Sequence, residues 1–269
     1  MLYAIIFNCK KMPKSYTDQI GHTFGVSGVP KRIVSLVPSQ TELLYDLGLD
    51  EEVVGITKFC IHPKQWFRTK TRVGGTKDFK LDHIKVLAPD LIIANKEENE
   101  IIKIKALQTQ YRVYTSDIAT LNDAYGMINA VGELVGKSEK ATTLVSKLKK
   151  TFAELPKRSD IKVAYLIWQK PYMVAAKATF IDDMLSNVCG FDNVFGDLMR
   201  YPCITLKDLQ DKKPDVLFLS SEPYPFKEKH IYELSKLLPH TTCKLVDGEL
   251  FSWYGSRLLQ SANYFKQIL

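Results

Sequence analysis

The chain has 269 residues, 45% of them hydrophobic and 25% charged, with a formal net charge of +7. It is long enough for one large or two ordinary domains with a sizeable core and no need of disulfide or metal staples. Its lysines are scattered through helical stretches (Lys137, Lys140, Lys147, Lys149, Lys150) rather than gathered in a basic arm, which reads as a solvated helix face and argues against a nucleic-acid partner. The five cysteines, at 9, 60, 189, 203 and 243, are odd in number and form no CxxC pair, so neither a disulfide framework nor a zinc finger is indicated.

The first residues carry an apolar patch at 2–7 with no basic residue ahead of it, too short for a signal-peptide core. Ile6-Phe7-Asn8-Cys9 lacks the small residues of a lipoprotein cleavage site. No stretch approaches the roughly 20 apolar residues of a membrane span. Taken alone, these features and the cysteine usage predict a cytoplasmic protein, starting at Met1 or Met12.

Short apolar runs then alternate with helical patterns. Residues 32–37 read as a buried strand, followed by Pro38-Ser39-Gln40-Thr41-Glu42 and a helix to Leu47 that Gly48 ends. Ser39 or Thr41 is the expected cap of that helix. A strand at 53–57 precedes loops at 59–63 and 73–76; a helix from about 99 leads to a strand at 111–114. The longest helical stretch runs from about 121 to 155, with a break or bend expected at Gly136-Lys137-Ser138. The second half restarts with a strand at 162–168, a helix at 180–188, a strand at 243–246, a loop at 251–257 and a final helix. Alternating strands and helices predict α/β architecture with parallel sheets covered on both faces.

One segment occurs twice. The run from Leu81 through Pro89-Asp90 to Glu97 is echoed from Leu206 through Pro214-Asp215 to Glu222, with Leu, Pro-Asp and Glu at the same offsets. Each copy reads as a helix end, a Pro-Asp turn, a buried strand and a polar loop. A fold element used twice predicts two similar Rossmann-like lobes, with a ligand held in the cleft between them. The expected boundaries are 13–120, a connecting helix at 121–156, and 157–269.

The chain resembles the periplasmic binding proteins of the metal-chelate type, which serve ABC importers of cobalamin, haem and iron-siderophores. The matching motifs are Pro30-Lys-Arg-Ile-Val-Ser-Leu-Val-Pro38-Ser-Gln-Thr-Glu42 with Leu47-Gly48, Val73-Gly74-Gly75, Leu87-Ala-Pro89-Asp90-Leu-Ile-Ile93, Gly190-Phe-Asp-Asn193-Val-Phe195 and Pro214-Asp215-Val. The cobalamin-binding branch is most similar. The resemblance implies two lobes joined by one long rigid helix, small opening motions, and a glutamate on each lobe that docks onto arginines of an ABC permease. Glu97 and Glu222 are the pair the repeat nominates; Glu98, Glu100 and Glu228 lie nearby in sequence. The apparent lack of an export signal departs from the family's pattern. It keeps open an alternative, a cytoplasmic protein that handles a corrinoid without a permease.

Ligands of parallel sheets sit beyond the carboxyl ends of strands, and the candidates follow from that rule. Ser39, Gln40, Gly75 and Thr76 lie in such loops, although Gly74-Gly75-Thr76 reads more simply as a turn needing positive φ. Trp66, Phe67, Trp168, Tyr172, Tyr224, Phe226, Phe251, Trp253 and Tyr254 are candidates for an aromatic wall facing a planar macrocycle, about half of them expected to be packing instead. Trp168 and Trp253 are favoured. Arg257, beside aromatics, is the cation expected to meet a ligand carboxylate or amide. Cys60 and His62 share a loop; Cys60 reads as structural and His62 as a candidate axial ligand of a corrinoid or haem, with no complete protein metal site. His83, His230 and His240 are expected to face solvent. No catalytic motif occurs. The expected ligand is a metal chelate (cobalamin, haem or ferric siderophore) with no intrinsic cofactor, bound by a monomeric non-enzyme.

Overall fold

The structure, a computed structural model, describes residues 14–268; Cys9 and both candidate start residues lie outside them. The described residues up to Asp117 together with Glu133–Lys137 form one compact unit, and Ile118–Gly132 with the residues from Ser138 onward form a second.

The first unit opens with an antiparallel hairpin, β1 (Lys14–Thr17) and β2 (Thr23–Val26). Five parallel strands follow: β3 (Ile33–Ser35), β4 (Val53–Ile56), β5 (Thr71–Arg72), β6 (Leu91–Asn95) and β7 (Val113–Ser116). Their order in the sheet is β5-β4-β3-β6-β7. The chain winds outward from β3 in one direction and then in the other, so the switch point of the topology lies at the carboxyl ends of β3 and β6. Every residue of β6 is buried, as a central parallel strand covered on both faces requires. Helices α1 (Pro38–Asp46), α2 (Lys64–Thr69), α3 (Leu81–Leu87) and α4 (Ile101–Gln108) occupy the connections. Leu36, Val73, Ile84, Ile92 and Ile104 meet in one core cluster of this unit.

The helical stretch breaks at the expected Gly136 into α5 (Leu121–Leu134) and α6 (Ser138–Ala153), rather than forming the one long helix that the resemblance implies. Gly136 between them has φ +68°, which a continuing α-helix does not allow, and a side chain there would meet Val29 Cγ2 at 2.9 Å.

The sheet of the second unit holds β8 (Lys162–Trp168), β9 (Tyr172–Val174), β10 (Asp192–Asn193), β11 (Cys203–Ile204), β12 (Val216–Ser220) and β13 (Thr242–Val246). Its main order is β11-β9-β8-β12-β13, with β10 beside β8. Strands β8, β12 and β13 are parallel, but β9 turns back antiparallel on β8, so this sheet is mixed. The edge strand β13 alternates, with Thr242 and Lys244 exposed and Cys243 and Val246 buried; β12 in the interior is buried from Leu217 to Ser220. The helices are α7 (Phe180–Asp183), continued by a π-helical turn (Met184–Val188), α8 (Leu206–Lys212), α9 (Glu228–Leu237), α10 (Gly248–Ser252) and α11 (Leu258–Ile268). The segment 251–257, expected to be a loop, begins inside α10, because Asp247 accepts from the Glu249 N–H and caps a short helix there.

The repeated segment builds the same device in both units. Each first helix ends on a left-handed residue, Ala88 (φ +43°) or Lys213 (φ +48°), before the proline that ends the helix. The aspartate that follows then ties down the neighbouring strand. Asp90 accepts from the backbone N–H groups of Lys31 and Arg32 at 2.7 and 2.9 Å, and its own N–H donates to the Arg32 carbonyl. Asp215 accepts from the N–H of Lys162 at 2.8 Å, and its N–H donates to the Lys162 carbonyl. The side chain sets the register with which β6 or β12 enters its sheet.

Candidate functional site

In the first unit the carboxyl ends of the strands carry a connected polar layer. Neither Ser39 nor Thr41 caps α1, and Ser39 and Gln40 are not loop residues. They lie in the first turn of α1, whose N-cap is Val37 with Pro38 at the first helical position. Both are buried. Gln40 Nε2 donates to Ser116 Oγ at 2.5 Å, while Gln40 Oε1 is buried with no hydrogen-bond partner, a setting that costs roughly 1–3 kcal/mol for an acceptor left so. Asn95, the last residue of β6, donates to Ser116 O and Oγ at 3.1 and 3.0 Å and accepts from the N–H groups of Glu97 and Glu98. Asn99 donates to the Thr76 carbonyl at 2.8 Å. Gln40, Thr76 and Glu97 therefore belong to one network after β3, β5 and β6.

Gly74 has φ +118°, and a side chain on it would meet the Phe79 backbone at 2.7 Å; one on Gly75 would meet Asp78 Oδ1 at 1.8 Å. The turn itself therefore requires a glycine at 74, the simpler of the two readings; at Gly75 the φ is ordinary and the contact is with the exposed Asp78 side chain.

Cys60 is fully buried, with the hydroxyls of Thr41 and Thr57 at 3.1 and 3.2 Å from its sulfur. Burial pushes its thiol above the ordinary range, against the effect of those hydrogen bonds. The thiol anchors the loop, and its neighbours Phe59 and Ile61 are exposed on either side. His62 is half-buried. Trp66 does not belong to any aromatic wall: it is fully buried in α2, its indole donating to Asp50 at 2.5 Å and its ring edge-on to Tyr45. Phe67, on the same helix, is exposed.

The second unit holds two aromatic groups. Trp168, at the end of β8, is 37% exposed and meets Tyr224 edge to face at 5.5 Å; Tyr224 in turn meets Phe226 at 4.8 Å. Tyr172 and Tyr224 both pack against the core of this unit. His230 is buried rather than solvent-facing. Its Nδ1 accepts from the Lys227 N–H at 2.8 Å, which leaves the proton of a neutral ring on Nε2, 3.4 Å from the Tyr224 hydroxyl. That hydroxyl donates to Gln169 Oε1 at 2.9 Å.

The other group surrounds Glu222. Trp253 Nε1 and Ser252 Oγ each donate to Glu222 Oε1 at 3.0 Å. Burial raises the Glu222 carboxyl above the ordinary carboxylate range; the neighbouring Glu249 and Asp247 add to this, and the hydrogen bonds from Ser252 and Trp253 oppose it. Arg257 is buried, pairs with Glu249 at 2.9 Å, and stacks over the Trp253 ring at 4.8 Å. Tyr254 is buried edge-on against Phe180, and Phe251 is fully buried. Beside Glu222 a hollow of about 510 Å³ is lined by Ser221, Glu222, Leu245, Val246, Asp247 and Glu249.

The repeat's two glutamates thus differ in setting: Glu97 follows an Asn95-bonded turn, whereas the Glu222 carboxylate is held by an indole and a hydroxyl. Reading the sequence missed Asn95, Asn99, Ser116 and Gln169. A signal existed for the first three: each is a short polar residue at, or four residues beyond, the end of an apolar strand.

Residues 33–238 match the periplasmic binding protein family. A vitamin B12-binding protein of Vibrio cholerae is 27% identical over 198 residues, covering 71% of this chain and 70% of that protein. An uncharacterized ABC transporter substrate-binding lipoprotein of Bacillus subtilis is 26% identical over 264 residues, covering 92% of this chain and 82% of its own. Among solved structures, the periplasmic haem-binding protein of Roseiflexus sp. superposes with a TM-score of 0.72 at 20% identity, over 89% of this chain and 99% of that one. The alternative of a cytoplasmic cofactor handler draws no support from these relatives. Among the described residues no helix is long and apolar enough to cross a membrane, and no group of three or more His, Cys, Asp or Glu is placed to hold a metal ion.

Proposed function

Because the chain belongs to the periplasmic binding protein family, we propose that it is the substrate-binding component of an ABC importer for a metal chelate, with a corrinoid as its ligand. The observation that carries this reading is the family match over residues 33–238, and the vitamin B12-binding relative favours cobalamin over haem or a siderophore. The protein binds and releases its ligand without turning it over. It works outside the cytoplasm, as the B. subtilis lipoprotein relative suggests.

Ligand contacts come from loops at the carboxyl ends of the strands. In the first unit these are His62 and Thr76, with Ser39, Gln40 and Gly75 backing them from buried positions. In the second they are Trp168, Tyr172 and Tyr224, with Trp253, Tyr254 and Arg257 backing the surface from buried positions. A half-exposed indole braced edge-on by a tyrosine suits an apolar macrocycle face. Glu97 and Glu222, at matched positions of the repeat, meet permease arginines through charge-assisted contacts.

Gel filtration of the purified protein with cyanocobalamin, haemin or ferrichrome tests the ligand, because each is coloured and comigrates when bound. Comigration of cyanocobalamin supports the reading; comigration of none of the three contradicts it. Glu97→Lys should lower cellular uptake and leave affinity unchanged. Equal loss of both would count against the docking role.

A further inference from the structure

The proposed ligand contacts of the first unit stand on loops that leave different strands. Ser39 and Gln40 follow β3 and Gly75 and Thr76 follow β5, while Glu97, the proposed docking residue, follows β6. One side chain holds all three loops. Asn99 Oδ1 accepts from the N–H of Asn95 at 2.8 Å, and its Nδ2 donates to the Leu36 carbonyl at 3.2 Å and the Thr76 carbonyl at 2.8 Å. Asn99 is 4% exposed, and its own N–H donates to the Asn95 carbonyl at 3.1 Å, which fixes it against the end of β6.

The chemistry is particular to a short amide. Two carbonyls need donors and one N–H needs an acceptor, and only Asn and Gln carry two N–H donors and an acceptor on one planar group. Aspartate would keep the acceptor but turn an oxygen toward two carbonyl oxygens. Serine is too short to span three loops. Asn95 extends the brace, since it accepts from the N–H groups of Glu97 and Glu98 and donates to Ser116 on β7.

We propose that Asn99 is a positioning residue for ligand binding: it holds the loops after β3, β5 and β6 in the arrangement the ligand meets, without touching the ligand. This rests on the reading of the chain as a chelate-binding protein. Loops ordered before the encounter lose less conformational freedom on binding. Loops without such a brace open locally while the rest of the fold stays closed. The loss should therefore appear as faster dissociation.

The test compares the full chain with Asn99→Asp and Asn99→Ser, and with Phe265→Leu as a core variant of similar thermal stability in the second unit. Binding of cyanocobalamin, haemin and ferrichrome is followed by stopped-flow absorbance. Hydrogen exchange is measured on the unliganded proteins. The expected result is that both Asn99 variants unfold cooperatively, bind about tenfold more weakly through dissociation, and exchange faster at residues 75–78 and 96–98. Phe265→Leu binds as the parent does. Parental affinity in both Asn99 variants overturns the proposal. So does exchange in the two loops that matches the parent, or loss of cooperative unfolding in both variants, which would make Asn99 a folding residue only. Failure of the parent to bind any of the three probes defeats the proposed function, and the brace is then judged on exchange alone: faster exchange in both loops retains it and unchanged exchange removes it.

Discussion

Replacing the repeat's aspartates by alanine should destabilise the two units unequally. Asp90 accepts two backbone N–H groups, from Lys31 and Arg32, and Asp215 accepts one, from Lys162. These contacts are solvent-accessible, so water replaces part of what is lost, and about 1 kcal/mol per bond is the appropriate scale. Asp90→Ala should then cost about 2 kcal/mol and Asp215→Ala about 1 kcal/mol. For units of this size that corresponds to falls in Tm of roughly 8 and 4 °C. Because β6 and β12 pair beside the anchored strands β3 and β8, early exchange should appear first at 31–33 in one variant and at 162–164 in the other. Urea unfolding and hydrogen exchange supply both readouts. An Asp215→Ala cost equal to or above that of Asp90→Ala would refute the bond-by-bond argument, and costs below 0.5 kcal/mol for both would show that the aspartates do not anchor the strands.

Three further outcomes follow from the same structure. Ala88→Gly and Lys213→Gly remove side chains from left-handed positions and should each stabilise by about 0.5–1 kcal/mol in thermal unfolding; destabilisation by either would contradict the cap assignment. Trp66→Ala should cost roughly 3–5 kcal/mol and leave the binding of any chelate to the folded protein unchanged, because Trp66 is core; a selective loss of affinity would return it to the aromatic wall. Glu222 has a carboxyl raised by burial, so the folded state favours its protonated form. Its contribution to stability is present at pH below the ordinary carboxylate range and is lost as pH rises through the raised value. Glu222→Gln, which keeps the acceptor for Ser252 and Trp253, should gain in Tm relative to the parent between pH 4 and pH 7. A relative loss over that interval would show that the carboxylate is stabilised by its surroundings.

The double α/β plan was legible because β6 and β12 are largely apolar runs behind a Pro-Asp turn, and each aspartate ties its strand to the start of the neighbouring one. Strand ends were legible to within two residues: the strand expected at 111–114 runs from Val113 to Ser116, displaced because polar Thr115 and Ser116 are buried inside the sheet rather than outside it. Tertiary context decided the rest. Trp66 looked like a loop aromatic, yet Pro63 caps a short helix that turns its ring inward. His230 sits four residues before Leu234 on the buried face of α9, a spacing that marks it as interior. The layer of Gln40, Asn95, Asn99 and Ser116 escaped notice because buried polar networks have no period; only the pairing of β3, β6 and β7 brings their members together.

Binding of a corrinoid is what separates the proposed ligand from haem and siderophores. A difference-absorption titration of the purified protein with cyanocobalamin tests it most directly. A saturable spectral change with one ligand per chain is expected, weakened in Trp168→Ala. No saturable change with cyanocobalamin, together with one for haemin or ferrichrome, would contradict the corrinoid assignment.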